Sequence, residues 1–428
     1  MKILLVSQYF WPETFLINDL VACLQAQGHS IEVLTGKPNY PEGRLFSGYL
    51  ARGCVTEYFK ETIPVHRVPM IPRGKGGGLR RILNYFSFVI SGIVFAPRRI
   101  KNTDFDVILV YIPSPITAVI PAIFLKKKLK VPLAVWVQDL WPESVSATGY
   151  VKNKRLLAAL QGLVRWIYAK SDCLLVQSRG FIEPVGCYAA AEKIIYYPNS
   201  YQDNAADCDP SLLPYNLLQV LQTYDCFVFA GNIGSAQSIE TLVETAQRLA
   251  HIPRCKIVIV GSGSLSDWLI ERVSTLQLDN VIVAGRFLPE VMPTIFHFAT
   301  ALLVTLKKEL IFTYTIPSKI QAYLAAGKPI IAALHGEGAK VIVEAGAGFC
   351  GPAEDAAALA AHCEQVSHLS QAERDALGAS ARQYFLQHFE MGQQSKRLIE
   401  ILQALLPNGQ TKVAKNCSAG QTRKPSLD

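Results

Sequence analysis

One stretch decides the fold of the C-terminal half: Cys226-Phe227-Val228-Phe229-Ala230-Gly231-Asn232-Ile233-Gly234-Ser235-Ala236-Gln237-Ser238. An apolar run of strand length ends in two glycines, and an amphipathic segment with helical spacing follows at 239–250. This order predicts a strand, a tight turn and a helix. Glycines at such a turn let backbone amides approach a phosphate, which the helix N-terminus also attracts. Any strand-to-helix turn prefers glycine, so an ordinary turn and a phosphate site both stay open for this motif alone.

The same alternation extends outward along most of the chain. Short apolar runs rich in β-branched and aliphatic residues are separated by helix-length segments, which predicts βα units and parallel sheets buried on both faces. Right-handed crossovers then give an α/β fold of two Rossmann-like, doubly wound domains that face each other across a cleft. The ten predicted strands are 3–6, 30–34, 107–111, 133–137, 173–176, 226–230, 256–260, 281–283, 301–304 and 329–332.

The alternation is interrupted once, where Asp, Asn and Pro accumulate after residue 200. We therefore predict an N-terminal domain at 1–200, a linker at 201–222 and a C-terminal domain at 223–380. A last helical pattern occupies 381–407, and the polar residues 408–428 predict a disordered tail.

Composition limits the class of protein. The chain has 428 residues, 50% of them hydrophobic and 18% charged, which suits two folded domains and excludes global disorder. The net charge of +8 suits an anionic partner. The basic residues flank apolar runs rather than forming a stripe with exposed aromatics, so nucleic-acid binding is the unlikely alternative.

Cysteine usage and the N-terminus both indicate a cytoplasmic protein. Ten cysteines stand singly without a Cys-x-x-Cys pair, which predicts buried thiols and neither a disulfide framework nor a metal site. The first apolar run is too short for the core of a signal peptide.

Residues 82–97 stand apart because they are uncharged and lie between Arg80-Arg81 and Arg98-Arg99. Three interpretations are open. The segment is a buried core helix, a monotopic element whose flanking arginines bind lipid phosphates, or a membrane span. Its 16 residues are fewer than the roughly 20 that a span needs, which disfavours the third.

A second helix start follows the glycine turn at Pro317-Ser318-Lys319, and Gly327-Lys328-Pro329 suits the end of that helix. Lys319 falls in the first turn, where the helix dipole disfavours a cation. A cation at this place predicts an anion nearby, although a solvated lysine is the simpler interpretation. The glycine-rich turn at 261–265 fits either a nucleotide-binding loop or a plain turn, and we favour the plain turn.

Polar and aromatic residues follow three strands of the N-terminal half, where a doubly wound domain places its ligands. After the buried strand at 133–137 comes Gln138-Asp139-Leu140-Trp141-Pro142-Glu143, in which Trp141 could stack on a sugar ring. In the bland alternative, Asp139 and Glu143 cap the next turn. The loops after the first two strands hold Glu13, Asn18, Asp19, Lys37 and Tyr40.

Taken together and in order, these segments resemble the GT-B glycosyltransferases of family 4, over residues 1 to about 405. The resemblance rests on residues 8–13 (Gln-Tyr-Phe-Trp-Pro-Glu), 137–144, 230–234 and 317–329, and is nearest to bacterial enzymes of surface-polysaccharide synthesis that transfer N-acetyl-L-fucosamine or build colanic acid. It implies retaining transfer from a nucleotide sugar without metal or other cofactor. It also implies a last helix that returns to the N-terminal domain.

The resemblance assigns the nucleotide to the C-terminal half. It implies that the diphosphate meets Lys319, Ser318 and the backbone amides of 231–234, and that the base meets the loop at 285–288. The expected donor-binding residues are Gly231, Asn232, Ile233, Gly234, Arg286, Phe287, Ser318, Lys319 and Glu337.

Two departures from the family pattern affect these roles. Many relatives carry two glutamates eight positions apart, where this chain has Tyr314 and Ala322, so the usual ribose-binding carboxylate is missing. Glu337 is the candidate to replace it. Many relatives also have a histidine where this chain has Gln138, and glutamine cannot act as a base.

Gln138 is therefore expected to hold the sugar, and Asp19 or Asp139 to act as acceptor base, unless the leaving phosphate takes the proton. These three are the expected catalytic residues. The residues expected to bind the acceptor are Glu13, Asn18, Lys37, Tyr40, Trp141 and Glu143.

The sequence thus predicts a UDP-sugar-dependent transferase with a polyprenyl-diphosphate-linked acceptor at the cytoplasmic face of the inner membrane. The expected sugar is N-acetyl-L-fucosamine or a similar deoxy-amino sugar. A UDP-sugar 2-epimerase of the same architecture is the alternative within enzymes.

Overall fold

The computed structural model describes residues 1–74, 78–147, 153–204 and 208–407. The chain forms two compact units. The first contains Met1–Gln177, Phe181–Tyr197 and the described residues from Gln394 on, and the second contains Ser178–Gly180 and Pro198–Gln393. The predicted tail at 408–428 lies outside the described residues.

The first unit is an eight-stranded sheet covered by helices. Its strands are β1 Lys2–Val6, β2 Ser30–Thr35, β3 Val55–Phe59, β4 Ile63–Arg67, β5 Val107–Ile112, β6 Leu133–Val137, β7 Cys173–Val176 and β8 Ile194–Tyr196. Its helices are α1 Leu16–Ala26, α2 Gly78–Arg99, α3 Ile120–Leu129, α4 Glu143–Ala147, α5 Lys154–Lys170 and α6 Ile182–Gly186. The strand order is β3-β4-β2-β1-β5-β6-β7-β8, and only β3 runs antiparallel to its neighbour.

The second unit is a six-stranded, all-parallel sheet. In chain order its elements are α7 Tyr215–Thr223, β9 Asp225–Ala230, α8 Ile239–Leu249, β10 Cys255–Val260, α9 Ser266–Thr275, β11 Val281–Gly285, α10 Met292–Phe298, β12 Ala301–Thr305, α11 Leu310–Thr313, α12 Ser318–Ala326, β13 Ile330–Ala333, α13 Glu337–Glu344, β14 Gly348–Gly351, α14 Ala356–His368 and α15 Gln371–His388. The strand order is β11-β10-β9-β12-β13-β14. A final helix, α16 Met391–Ala404, follows.

The α/β prediction is confirmed, because each unit is a doubly wound parallel sheet. All ten predicted strands are present. Four others, β3, β4, β8 and β14, were not predicted. Three of them form sheet edges, where β3 is largely exposed, β8 has three residues and β14 reads Gly-Phe-Cys-Gly, so none has the long apolar pattern of a buried strand.

Apart from the short excursion at Ser178–Gly180, which belong to the second unit, the chain passes twice between the two units. The first passage comes at Tyr197–Pro198, and the segment expected to be a linker at 201–222 holds most of α7, whose Leu217 and Leu221 are buried in the core of the second unit. The second passage is in α16, whose Leu398 and Leu402 are fully buried in the core of the first unit. The last helix therefore packs on the N-terminal unit.

Helix α2 has two different faces. Asn84, Phe88 and Gly92 are buried, and a Cβ at Gly92 would lie only 2.7 Å from Pro121 of α3. The opposite face exposes a row of large apolar side chains, with Leu79, Ile82, Leu83, Phe86, Ile90 and Val94 between 43% and 71% exposed. By length and composition alone, α2 could cross a membrane, but one such helix is weak evidence for a membrane span. Because its apolar row is exposed, α2 is not a buried core helix.

The turns after β9 and β10 touch through their backbones. Gly261 has φ +142°, and a Cβ there would lie 1.8 Å from the carbonyl oxygen of Gly231. At this point only glycine fits without displacing the neighbouring main chain. The two glycine turns are therefore one packed unit.

We expect Gly261→Ala to destabilise the second unit by about 3 kcal/mol or more, because both the positive φ and the backbone contact are incompatible with a side chain. Urea unfolding of the full chain measures this. Gly162→Ala is the matched control, since Gly162 lies in α5 with open space around it and should gain about 0.5–1 kcal/mol. Equal effects at both positions would contradict the packing described.

Candidate functional site

An open pocket of about 460 Å³ lies at the carboxyl ends of β9, β10 and β11 in the second unit. Six of the residues expected to bind the donor line it, namely Gly231, Asn232, Arg286, Phe287, Ser318 and Lys319. Three motifs that are separate in the sequence therefore meet at one surface. Tyr201, Ser262 and Tyr323 also line the pocket and were not predicted.

Tyr323 sets the position of α12 relative to the sheet. Its buried hydroxyl accepts a hydrogen bond from the amide of Ala230 at 2.9 Å and donates to the carbonyl oxygen of Ala230 at 3.2 Å. Lys319 lies four residues earlier and so projects from the same face of the helix. Consequently its side chain passes directly over Gly231, where a Cβ would be 2.8 Å from Lys319 Cε.

The ammonium group of Lys319 is buried without a hydrogen-bond acceptor among the described residues. It lies 3.4 Å from the centroid of the Phe229 ring, whose face attracts a cation. Burial lowers the pKa of Lys319 to about 7. An unpaired buried cation is costly, so its retention here indicates that an anionic ligand completes the site.

The backbone donors near Lys319 differ from those expected. The amide of Gly231 donates to Val260 O at 2.9 Å, and that of Ile233 donates to Ser262 O at 3.0 Å, so neither is available to a phosphate. The prediction is wrong for these two amides because the second glycine turn uses them. Those of Asn232 and Gly234 have no hydrogen-bond partner within the described part of the chain.

The N-terminus of α12 supplies further donors. Its N-cap, Pro317, provides no side-chain hydrogen bond, so the first amides of the helix, at Ser318 and Lys319, are directed out of its end. An anion placed there meets the helix dipole, those amides and the Lys319 ammonium together.

Glu337 is not among the residues that line this pocket. It starts α13, its carboxylate accepts a 2.8 Å hydrogen bond from Lys340 Nζ, and its side chain packs against Gly180. Ala322, where many relatives have glutamate, does line the pocket. The expectation that Glu337 replaces the missing carboxylate thus gains no support.

In the first unit, two predicted residues hold loops in place. The buried carboxylate of Glu13 accepts hydrogen bonds from the amides of Phe10, Asn39 and Tyr40, and burial raises its pKa to about 7. The amide side chain of Asn18 donates to Glu13 O and accepts from Trp11 N. Glu13 connects the loops after β1 and β2, and Asn18 holds the loop after β1 against α1, so both residues have a structural role.

Lys37 and Tyr40 lie in the second of these loops with different surroundings. Lys37 is 1% exposed, and burial with the charge of nearby Arg67 lowers its pKa. Tyr40 is 36% exposed, and its ring packs at a tilted angle against those of Tyr9 and Phe15. Only Tyr40 of this pair presents a surface to a ligand.

Asp139 lies at the end of β6 in a network of donors. Its carboxylate accepts a 3.1 Å hydrogen bond from Trp141 Nε1 and further ones from Ser144 and Ser114, while burial raises its pKa. Asp19, in contrast, is exposed on α1. Of the two expected bases, Asp139 is the one in a protected position.

Gln138 and Glu143 each leave a polar atom unused. Gln138 Nε2 and Glu143 Oε2 are buried and have no partner among the described residues. The other carboxylate oxygen of Glu143 accepts from the Tyr188 hydroxyl at 2.8 Å. A donor and an acceptor thus remain beside Trp141, which suits a ligand with hydroxyl groups.

Tyr85 and Ser114 are candidate residues that the sequence did not reveal. Tyr85 projects from α2 and is hydrogen-bonded to Ser114, which also contacts Asp139. The signal available was a single tyrosine in an otherwise apolar segment. Within the described ranges, no group of three or more His, Cys, Asp or Glu could hold a metal ion.

Comparisons with family models match both halves of the chain. The glycosyl transferase 4-like domain matches residues 16–200, and glycosyl transferases group 1 matches residues 225–368. The putative colanic acid biosynthesis glycosyl transferase WcaI of Escherichia coli (strain K12) is 26% identical over 352 residues, which are 76% of this chain and 82% of WcaI.

Solved structures share the architecture. Sucrose-phosphate synthase from Thermosynechococcus elongatus superposes with a TM-score of 0.70 at 17% identity, covering 94% of this chain and 98% of that one. HepE of Anabaena, solved with UDP and glucose, gives 0.65 at 17% identity over 94% and 99% of the two chains. Likeness at this identity shows the fold.

Proposed function

The chain is a GT-B glycosyltransferase, made of a glycosyl transferase 4-like domain and a group 1 glycosyl transferase domain, and we propose that it transfers a sugar from a UDP-linked donor to a lipid-linked saccharide. The buried, unpaired ammonium of Lys319 is the observation that carries this proposal, because it marks where an anion belongs. HepE was solved with UDP-glucose, and a trehalose-6-phosphate enzyme of E. coli with UDP-2-fluoro glucose, which supports a UDP sugar.

The chemical role of the pocket follows from its charge. Breaking the bond between sugar and UDP leaves negative charge on the diphosphate. The Lys319 ammonium and the first amides of α12 are held in place to stabilise that charge before the reaction begins. Arg286 and Phe287 lie in the same lining and are available to the base. No metal or other cofactor is needed for this step.

Retention of the anomeric configuration is part of the proposal. No carboxylate is among the described residues that line the pocket, so the pocket itself offers no carboxylate nucleophile for a double displacement. In the proposed mechanism, the acceptor hydroxyl attacks the face that the phosphate leaves. The leaving phosphate takes the proton, or Asp139 does, since its raised pKa suits a base.

We propose that the acceptor binds to the first unit. Gln138, Trp141 and Glu143 present a donor, a ring and an acceptor for a sugar. Since WcaI is named for colanic acid biosynthesis, surface-polysaccharide synthesis is the proposed setting. N-acetyl-L-fucosamine or a similar deoxy-amino sugar is the proposed donor sugar.

The exposed row on α2 supports attachment to a membrane. Phe86, Ile90 and Val94 form part of an apolar stripe, with Arg80 and Arg81 near one end of the helix and Arg98 and Arg99 at the other. Such a helix can lie in the headgroup region with its arginines on lipid phosphates. We place the enzyme at the cytoplasmic face of the inner membrane.

The transfer reaction is tested by UDP release. After a thermal-shift screen of nucleotide sugars selects the donor, we expect UDP to form only when a saccharide acceptor is added. NMR of the anomeric proton should show the configuration of the donor in the product. UDP release without acceptor, together with an epimerised free sugar, would instead establish the 2-epimerase alternative.

The pKa of Lys319 predicts a proton linkage. Above pH 7 the free enzyme holds Lys319 largely neutral, while bound diphosphate favours the ammonium, so binding of UDP takes up a proton. We expect the affinity for UDP to fall up to tenfold per pH unit between pH 7.5 and 8.5, where the diphosphate of UDP is fully ionised. Calorimetry in buffers of different ionisation enthalpy measures the uptake.

Lys319→Met should weaken UDP binding at least tenfold and abolish this pH dependence, without lowering the stability of the free enzyme. The exposed Lys396→Met is the matched control and should change neither property. A methionine variant that keeps both the affinity and the pH dependence would rule out Lys319 as the phosphate ligand.

Membrane attachment is tested by flotation with liposomes that contain anionic lipid. The triple variant F86S/I90S/V94S should lose most of the bound fraction, because the buried apolar area on the membrane is removed. The control replaces three exposed apolar residues of the second unit, Ile270, Val343 and Leu386, by serine. Wild-type protein that does not float would refute the attachment.

A further inference from the structure

One cluster at the carboxyl edge of the first sheet has no role in the transfer step. It consists of Tyr9, Arg73, Arg81 and Tyr85, which we call the arginine–tyrosine cluster. Tyr9 follows β1, Arg73 precedes α2, and Arg81 and Tyr85 belong to α2. The cluster therefore lies where the apolar helix meets the loops of the sheet.

Hydrogen bonds fix Arg73 against this helix. The amide of Ile71 donates to Ser87 Oγ at 3.0 Å, and its carbonyl oxygen accepts a 2.6 Å hydrogen bond from Asn84 Nδ2. These two bonds attach the segment before Arg73 to α2. The amide of Arg73 donates to Asn39 Oδ1 at 2.9 Å. Its guanidinium lies 5.5 Å from the centroid of the Tyr40 ring.

Arg81 and Tyr85 are four residues apart and so share one face of α2. Both are half-buried, and the Tyr85 hydroxyl is hydrogen-bonded to Ser114. Gln8 Nε2 donates to Asn84 Oδ1 of α2 at 2.8 Å and to the Tyr9 hydroxyl at 3.3 Å, so Tyr9 lies beside the same part of the helix. The charges of Arg73 and Arg81 both lower the pKa of Tyr85 against the larger effect of burial.

Among the described residues, Arg73 forms no ion pair with a carboxylate, so its own charge is not compensated in this way. The acid near Tyr85 is Asp139, whose carboxylate already accepts hydrogen bonds from Trp141, Ser144 and Ser114. Guanidinium groups and a tyrosine hydroxyl are good donors to phosphate oxygens. The cluster thus suits an anion.

The neighbouring surface is apolar. Ile82 and Phe86 each follow a cluster residue by one position and are 50% and 54% exposed, and Ile90 continues the row at 61%. Because successive helical positions differ by about 100°, the row lies beside the cluster on the same helix. An anion site next to an exposed apolar row matches a ligand with a charged head and an apolar tail.

We propose that the arginine–tyrosine cluster binds the diphosphate of the polyprenyl carrier, with the first isoprene units against Ile82, Phe86 and Ile90. This inference rests on the proposed lipid-linked acceptor. The helix then has two functions, since the face that attaches the enzyme to the membrane also receives the carrier. The saccharide beyond the diphosphate extends from the helix toward Asp139 and Trp141.

The inference is tested with farnesyl diphosphate as the probe and the full chain saturated with UDP, so that the donor pocket is occupied. We expect calorimetry to show binding that falls tenfold or more in the double variant Arg73→Gln/Arg81→Gln. Farnesol and inorganic diphosphate, each alone, should bind far more weakly than farnesyl diphosphate. Arg99→Gln, an exposed arginine at the other end of α2, is the matched control and should bind as the wild type does.

Transfer kinetics separate this inference from the proposed function. With a lipid-diphosphate-linked acceptor, the double variant should raise KM tenfold or more and leave kcat and UDP binding nearly unchanged. Arg73→Lys should recover part of the loss, which a folding defect would not allow. The inference would be overturned if variant and wild type bound farnesyl diphosphate equally, if the UDP-saturated chain bound none, or if inorganic diphosphate bound as tightly as the probe. Transfer by the wild type would still support the proposed function.

Discussion

Parallel strand pairing is the constraint on which the rest of this structure depends. Apart from β3, the paired strands run in the same direction, so each connection must cross the sheet, and helices cover both faces. The carboxyl ends of the strands then meet at one edge, where the loops are free to differ in sequence. In the second unit this edge brings Gly231, Arg286 and Lys319 together, although they are far apart in the chain.

Within that edge, stability and function make opposite demands on Lys319. A buried ammonium without an acceptor destabilises the fold, and the Phe229 ring offsets only part of that cost. Tyr323 holds the helix so that the side chain has little alternative position. In the proposed function, a bound diphosphate relieves this cost, and the stabilisation is greatest when negative charge develops on the leaving group.

Helix α2 shows how one element serves several purposes through its faces. Gly92 lets it approach α3 closely, and Asn84 ties it to the loop at Ile71 and to Gln8. Tyr85 reaches the end of β6 through Ser114 and Asp139. The remaining face is apolar and exposed. Packing in the core would explain the contacts of Gly92 and Asn84 but not the exposed apolar face. Lipid binding would explain the exposed face but not those contacts.

The sequence by itself determined the periodic features. Alternating apolar runs and helical segments predicted the α/β class and ten of the fourteen strands in the described residues, because a strand that is buried on both faces has a continuous apolar sequence. The glycines and Lys319 indicated the pocket of the second unit, since turns and helix starts have local sequence signatures. Tertiary structure alone decided which polar groups are free. Glu13 is bound by Asn39, and the amides of Gly231 and Ile233 by the turn after β10. Such partners are distant in sequence, and hydrogen bonds between them leave no periodic pattern from which they could be predicted.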